Sequence, residues 1–226
     1  MRFMLAVIVI PYYFHYTQLK SPPKRLIALV RHKLLNLRNK IPMQLIRCTK
    51  KLQKEMGLKN DALIQQEPTP TLLGSWHANL ILIDRRKCVL FVNDKTLFNF
   101  LVPDIPREKI RQLDKLFRNF LQCILVEEGF NKATTDKILQ DHAEIGFANT
   151  NNKSVLGSMN DLAQHYRYHI EDEGGVHSCM IPQIIHELNR MPMSAIAACY
   201  PIDALRELYK LDTKMGAATS VAHETQ

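Results

Sequence analysis

Four potential metal ligands, His165, His169, His177 and Cys179, occur within a stretch of fifteen residues. A spacing of four places the first two imidazoles on one face of a helix, and imidazole and thiolate are preferred ligands of Zn²⁺. Their order and spacing match no recognised zinc motif, and the sequence contains no C-x-x-C pair. The apolar residues between the histidines predict a buried helix face that the imidazoles flank. We therefore favour solvated or hydrogen-bonded histidines and expect no metal and no cofactor.

A second candidate site lies at the start of a predicted helix, in the stretch SVLGSMND at 154–161. A helix start has free N–H groups and a positive dipole end, which can hold a phosphate or a carboxylate. The candidate ligand-binding residues are Arg47, Lys153, Ser154, Ser158, Asn160, Asp161 and Arg190. The phosphate-loop pattern G-x-x-x-x-G-K is absent, so a single glycine is a weak signal. The structural alternative, which we favour, is that Ser154 or Asn152 caps the helix and Gly157 lets it pack closely against a strand.

Other chemistry has weaker support in the sequence. The nucleophile pattern G-x-S-x-G is absent, because Gly157-Ser158 lacks the second glycine. Paired carboxylates at 127–128 and 171–173 fall at predicted helix ends, where solvated charge is the usual explanation. The basic cluster 85–87 lies at the tip of a predicted hairpin, where a charged turn is more common than a phosphate contact. No complete set of catalytic residues is recognisable.

Hydrophobic periodicity indicates a mixed α+β domain. Strands are predicted at 44–48, 76–84, 87–92 and 144–149, with a tight connection Asp84-Arg85-Arg86 and a strand or short helix at 96–102. Helices are predicted at 50–56, 107–128, 134–141, 150–170, 182–190 and 202–211. Thr49 and Gly57 are the expected caps of the first helix, and Thr134 or Thr135 opens the third. We expect a small, mostly antiparallel sheet with an early hairpin, covered by several helices concentrated in the C-terminal half.

The charge of the chain is unevenly distributed. The formal net charge is +8, from 30 Lys and Arg against 22 Asp and Glu. Residues 1–42 contain eight of the basic residues and no acidic one, so 22 basic and 22 acidic residues remain in 43–226. A body of zero net charge lacks the broad basic face of a nucleic-acid-binding protein. We expect no strong nucleic-acid binding by 43–226.

The first 42 residues differ in composition from the rest. An apolar run at 3–10 is shorter than the roughly 20 residues that a membrane-spanning helix needs, and a basic amphipathic helix is predicted at 24–40. This segment is interpreted as an extension that precedes a true start at Met43, or as a helix that contacts a membrane surface or a partner, or docks on the body. We expect one domain at 43–212 and a flexible tail at 213–226.

Several stretches of the body resemble a bacterial family of domains of unknown function. They are MQLIRCTKKL, NDKTLF, SVLGSMNDL and LNRMPM, and the resemblance extends over residues 43–210. It implies a single small bacterial domain that starts at Met43, and it implies no activity. Residues 1–42 depart from the pattern.

These observations favour an uncharacterised bacterial domain that binds a protein or a small anionic ligand without chemistry of its own. The alternatives are an enzyme of unrecognised type with an anion site at the Ser154–Asp161 helix start, and a nucleic-acid-associated protein. Membrane-surface contact is expected only if residues 1–42 are part of the working protein. Five widely spaced cysteines are interpreted as small buried residues in a reducing cytoplasm: Cys48, Cys88, Cys123, Cys179 and Cys199.

Overall fold

Five strands form one mixed sheet in the computed structural model, which describes residues 43–142, 144–178 and 180–209. The strands are β1 Gln44–Cys48, β2 Trp76–Ile83, β3 Arg86–Asn93, β4 Asn99–Val102 and β5 Ile145–Asn149. Their order across the sheet is β4-β3-β2-β1-β5. The β2–β3 and β3–β4 pairs are antiparallel, whereas β1 is parallel to both β2 and β5. The hairpin is therefore confirmed, and β1 and β5 add a parallel edge to it.

Helices accompany this sheet on both sides, so the α+β class is confirmed. They are α1 Lys50–Met56, α2 Arg107–Ile110, α3 Leu113–Glu127, α4 Lys132–Asp141, α5 Lys153–Asp172, α6 Ile181–Leu188 and α7 (residues 201–209), with a 3-10 turn at Asn60–Ala62. None of these described helices is long and apolar enough to cross a lipid bilayer.

Three element boundaries differ from the sequence prediction for local reasons. The hairpin turn contains two residues, because Asp84 and Arg85 both adopt positive φ angles, as in the turn type that suits twisted strands. The helix predicted at 107–128 is interrupted before Leu113, where Gln112 leaves helical geometry at φ −111° and ψ 42°. Helix α4 begins at Lys132, earlier than predicted, because the Asn131 side chain accepts the backbone N–H of Thr134.

The two faces of the sheet are covered by different helices. Phe100 of β4 packs against Trp76 of β2 and Phe117 of α3, with ring centroids 5.7 Å apart in both contacts. The adjacent residue Asn99 points to the opposite face, since side chains alternate along a strand. There its Oδ1 accepts a hydrogen bond of 2.8 Å from the hydroxyl of Tyr166 in α5. Helix α3 therefore covers one face, and α5 covers the other.

A row of three polar residues and one valine crosses the face that α5 covers. Arg47, His77, Val92 and Asn99 are consecutive register partners on β1, β2, β3 and β4, so their side chains lie side by side on this face. Helix α5 follows β5 in the chain, contacts β2 and β3, and reaches β4 at Asn99. It therefore passes across the sheet on the side that carries this row.

One side chain covers the edge of the sheet at the first residue of β4. The backbone N–H of Asn99 donates to Asn189 Oδ1 at 2.9 Å, and Asn189 Nδ2 donates to the backbone oxygen of Asn99 at 2.8 Å. The amide thus occupies both hydrogen-bonding groups of an edge residue, as a neighbouring strand would. Asn189 is fully buried directly after α6.

The cysteines only partly follow the prediction of buried residues. Cys48 and Cys88 are buried, whereas Cys123 and Cys199 are exposed. Cys123 lies on the outer side of α3, whose buried positions are Leu113, Phe117, Leu121, Ile124 and Leu125. Cys179 lies outside the described residues.

Candidate functional site

Arg47 lies near the carboxyl end of β1, beside the carboxyl end of the parallel strand β5. Ligands of sheets with parallel strands commonly bind at this end. The residue is only 6% exposed. Its Nη1 donates to the backbone oxygen of Asn149 at 3.1 Å, and its Nη2 donates to a carboxylate oxygen of Glu67. Its Nε is buried and has no hydrogen-bond partner among the described residues.

On one side of this guanidinium, formed by Nε–H and Nη2–H, only one of the two donors therefore has a hydrogen-bond partner in the described part of the chain. We call this side the donor edge. The Nε–H and Nη2–H groups of an arginine point in the same direction and can bind two oxygens of one carboxylate or phosphate. Glu67 engages only Nη2, and its side chain is 65% exposed. The carboxylate of Glu67 is thus a surface group at one end of a buried pair of donors.

Asn149 fixes the position of this arginine. Its backbone oxygen accepts from Arg47, while its side-chain oxygen accepts from Lys50 Nζ at 2.8 Å and from Gln53 Nε2 at 3.2 Å. Both donors belong to α1. The end of β5 is therefore attached to β1 and α1 at the same residue, which holds the guanidinium in place.

His77 stands next to Arg47 on the same face and is completely buried. Its Nδ1 lies 2.6 Å from Asp94 Oδ1. Because a carboxylate only accepts, Nδ1 carries the hydrogen of this bond. The other ring nitrogen, Nε2, is buried and has no partner among the residues that the structure describes.

The turn after β3 holds Asp94 beside this histidine. Asn93 Oδ1 accepts from the backbone N–H groups of Lys95 and Thr96, and its Nδ2 donates to the backbone oxygen of Leu73. Asp94 N–H donates to the Ser75 oxygen at 3.0 Å. The NDKT part of the NDKTLF stretch therefore builds the support of the His77–Asp94 pair.

At the start of α5, where the anion site was predicted, two backbone N–H groups bind a capping side chain of the protein itself. Asn152 Oδ1 accepts the N–H groups of Ser154 and Val155 at 3.0 and 3.3 Å. Asn152, rather than Ser154, is therefore the cap. The polar candidates of this segment are Lys153, Ser154, Ser158, Asn160 and Asp161. All of them are exposed except Ser158, which is half-buried.

The packing role expected for Gly157 is wrong. A Cβ atom placed on this residue would meet no atom within 4 Å, and the residue is exposed. The cap predicted at Thr49 also differs, because its hydroxyl donates to Asn79 Oδ1 at 3.0 Å and makes no cap hydrogen bond.

Arg190 is not brought to this site. Its Nη2 donates to Glu128 Oε2 at 2.8 Å and its Nη1 to the His186 backbone oxygen at 2.9 Å. The preceding Asn189 bonds to Asn99, which also binds Tyr166. Tyr166 is about 20 Å along α5 from the start of that helix at 1.5 Å per residue. Arg47 therefore contacts the end of β5, just before α5 begins, whereas Arg190 lies near the other end of α5.

The four candidate metal ligands do not form a described cluster. His165 and His177 are exposed and His169 is half-buried. His177 Nε2 lies 3.6 Å from Asp104 Oδ2. In the described parts of the chain, no group of three or more His, Cys, Asp and Glu residues is arranged to hold a metal ion. Cys179 lies outside those parts.

Most of the basic residues at the hairpin tip form ion pairs with acidic side chains. Arg86 lies 3.5 Å from Asp104, and Lys87 lies 2.6 Å from Glu55. Arg85 is exposed in the turn. Two of the three charges therefore have acidic partners, which supports the interpretation as a charged turn.

Comparison with known proteins gives one family. The model of the family described as "Domain of unknown function (DUF6933)" matches residues 45–204. The chain belongs to this family. The DUF6933 match contains the entire Arg47, His77 and Asp94 arrangement, and it confirms the resemblance of the body to a domain of unknown function. No curated protein matches the chain.

Sequence reasoning did not single out His77, Asp94 or Glu67. His77 and Asp94 are 17 residues apart on different elements, and only the hairpin register brings them together. That register was the available signal, since it pairs His77 with Val92, and Asp94, two residues beyond Val92, then lies diagonally across from His77 on the same face. Glu67 lies in a loop, and nothing in the sequence links it to Arg47.

Proposed function

We propose that this domain binds a small anionic ligand that carries a carboxylate or a phosphate, with Arg47 as the principal binding residue. The half-used Nε and Nη2 edge of its buried guanidinium is the observation that supports the proposal. A buried cation interacts more strongly with an anion than an exposed one, because less solvent screens the charges.

Glu67 supports this proposal by its position. Its exposed carboxylate lies where one oxygen of a ligand would bind, and it comes from a loop rather than from the sheet. A ligand that offers two oxygens would bond both Nε and Nη2, and Glu67 would turn into solvent. Lys50 and Lys153 add positive charge at the same end of the parallel strands.

The test is calorimetric titration of the full chain with inorganic phosphate and, separately, with acetate. We expect Arg47→Gln to abolish binding, because both donors of the edge are lost. Arg47→Lys keeps the charge without the two-donor geometry and should weaken binding by about tenfold. Glu67→Gln removes the competing anion and should strengthen binding by roughly 3- to 10-fold.

Arg190→Gln is the matched control, since Arg190 is also paired with a carboxylate but lies away from this site. We expect it to leave the affinity unchanged. Equal binding by the wild-type protein and Arg47→Gln would contradict the proposal, as would equal losses in the Arg47 and Arg190 variants.

We also propose a bacterial and cytoplasmic protein, as the resemblance and the cysteine usage favour. One domain at 43–212 with a tail at 213–226 remains part of the same proposal. The helix predicted at 24–40 and its membrane or partner contact lie outside the described residues. Protein binding and an enzymatic role at the start of α5 remain predictions.

A further inference from the structure

We propose that His77, held by Asp94, is a second binding residue for the anion at Arg47, and that an oxygen of the ligand contacts both Arg47 Nε and His77 Nε2. This inference rests on the proposed function. It assigns the ligand an inner contact, under α5, in addition to the outer contact at Nη2.

The arrangement of unpartnered atoms supports it first. In the described residues, three buried side-chain nitrogen or oxygen atoms lack a hydrogen-bond partner: Arg47 Nε, His77 Nε2 and Thr135 Oγ1. The first two belong to register partners on adjacent strands, whose backbones are about 4.8 Å apart. Leaving a buried polar atom without a partner is costly. We attribute the two such atoms on neighbouring residues of one face to a ligand that bonds both.

The other polar atoms of both side chains are already bonded. Arg47 uses Nη1 on Asn149 and Nη2 on Glu67, and His77 uses Nδ1 on Asp94. The contacts with Asn149 and Asp94 fix the orientation of both groups before any ligand arrives, whereas the contact with Glu67 is the one that the ligand replaces. A ligand would therefore meet a preorganised pair and lose little to rearrangement.

The chemistry of the two atoms selects an oxyanion. Arg47 Nε–H always donates, and His77 Nε2 donates when the ring carries a hydrogen on both nitrogens. One oxygen of a carboxylate or phosphate accepts both bonds. A neutral imidazole would instead pair with a water that accepts from Arg47 and donates to Nε2.

The experiment compares the variants His77→Gln and His142→Gln. His142 is also fully buried, but it lies on the opposite side of the sheet. In titrations with inorganic phosphate and with acetate, we expect His77→Gln to weaken binding at least tenfold and His142→Gln to leave it unchanged. The two ligands show whether a phosphate or a carboxylate fits the inner contact.

A second measurement needs no variant. In the ¹⁵N-labelled wild-type protein, the His77 Nε2 resonance should move on addition of the anion that binds, and it should not move in Arg47→Gln. If the His77 Nε2 resonance does not shift when the anion binds, and His77→Gln has unchanged affinity, this inference is overturned and the proposed function stays intact. A wild-type protein that binds neither anion would overturn both.

Discussion

At the scale of single residues, both ring nitrogens of His142 make hydrogen bonds that require the neutral imidazole. Its Nδ1 lies 2.5 Å from the backbone oxygen of Ile138, and its Nε2 accepts from Trp76 Nε1 at 3.2 Å. Burial is the main reason that the pKa of His142 is lowered to about 4, and the charge of Arg118 lowers it further. A proton on Nε2 would place two donors against each other.

The stability of the protein should therefore depend on pH through this residue. The unfolded chain takes up a proton near pH 6.5 and the folded protein only near pH 4, so the contribution is complete above 6.5 and is lost as the pH falls to 4. A shift of this size corresponds to about 3 kcal/mol in the free energy of unfolding. Urea unfolding at several pH values, followed by the fluorescence of Trp76, the one tryptophan of the chain, measures it.

His142→Gln keeps an acceptor for Trp76 and cannot titrate, so its stability should change less between pH 6.5 and 4. His165→Gln, at an exposed position, is the control and should follow the wild-type curve. Identical pH dependence in all three proteins would show that another group is responsible.

At the scale of elements, α5 carries a glycine that the fold does not require. Gly157 lies inside the helix with open space around it. Alanine there reduces the freedom of the unfolded chain and favours the helix, so Gly157→Ala should stabilise the protein by about 0.5–1 kcal/mol. The urea midpoint at neutral pH measures this.

Gly129 is the matched control for that substitution. A Cβ on it also meets nothing within 4 Å, but its φ of +78° is unfavourable for alanine. We expect Gly129→Ala to lower the midpoint. If both variants shift it in the same direction, backbone conformation does not explain the effect.

The elements also show what sequence patterns can and cannot predict. The β2–β3 hairpin and the Asn152 cap follow from local spacing and were predictable. The parallel placement of β5 beside β1 was not, because about 100 residues separate the two strands and no local pattern encodes their pairing. Arg47 was chosen from sequence as a possible anion ligand, whereas its neighbour His77 depends on register. The arginine chosen with it, Arg190, has an acidic partner elsewhere that no spacing reveals.

At the scale of the whole molecule, the net charge of +8 belongs to residues 1–42. A version of the chain comprising 43–226 has equal numbers of basic and acidic residues, so it should elute from a cation-exchange column at pH 7 at much lower salt than the full chain. Its affinity for DNA should fall in parallel. Retention of both versions at the same salt concentration would show that the body presents a basic surface of its own.

The Asn189 contact at the edge of β4 has a consequence for the protein during its synthesis. The edge residue and the amide that covers it are 90 positions apart in the chain. At translation rates of 5–20 residues per second, the ribosome needs roughly 5–20 s to make the intervening segment. During that interval the nascent sheet presents an uncovered strand to other chains, and uncovered strands are sites of aggregation. We therefore expect the domain to be most prone to aggregation before α6 leaves the ribosome.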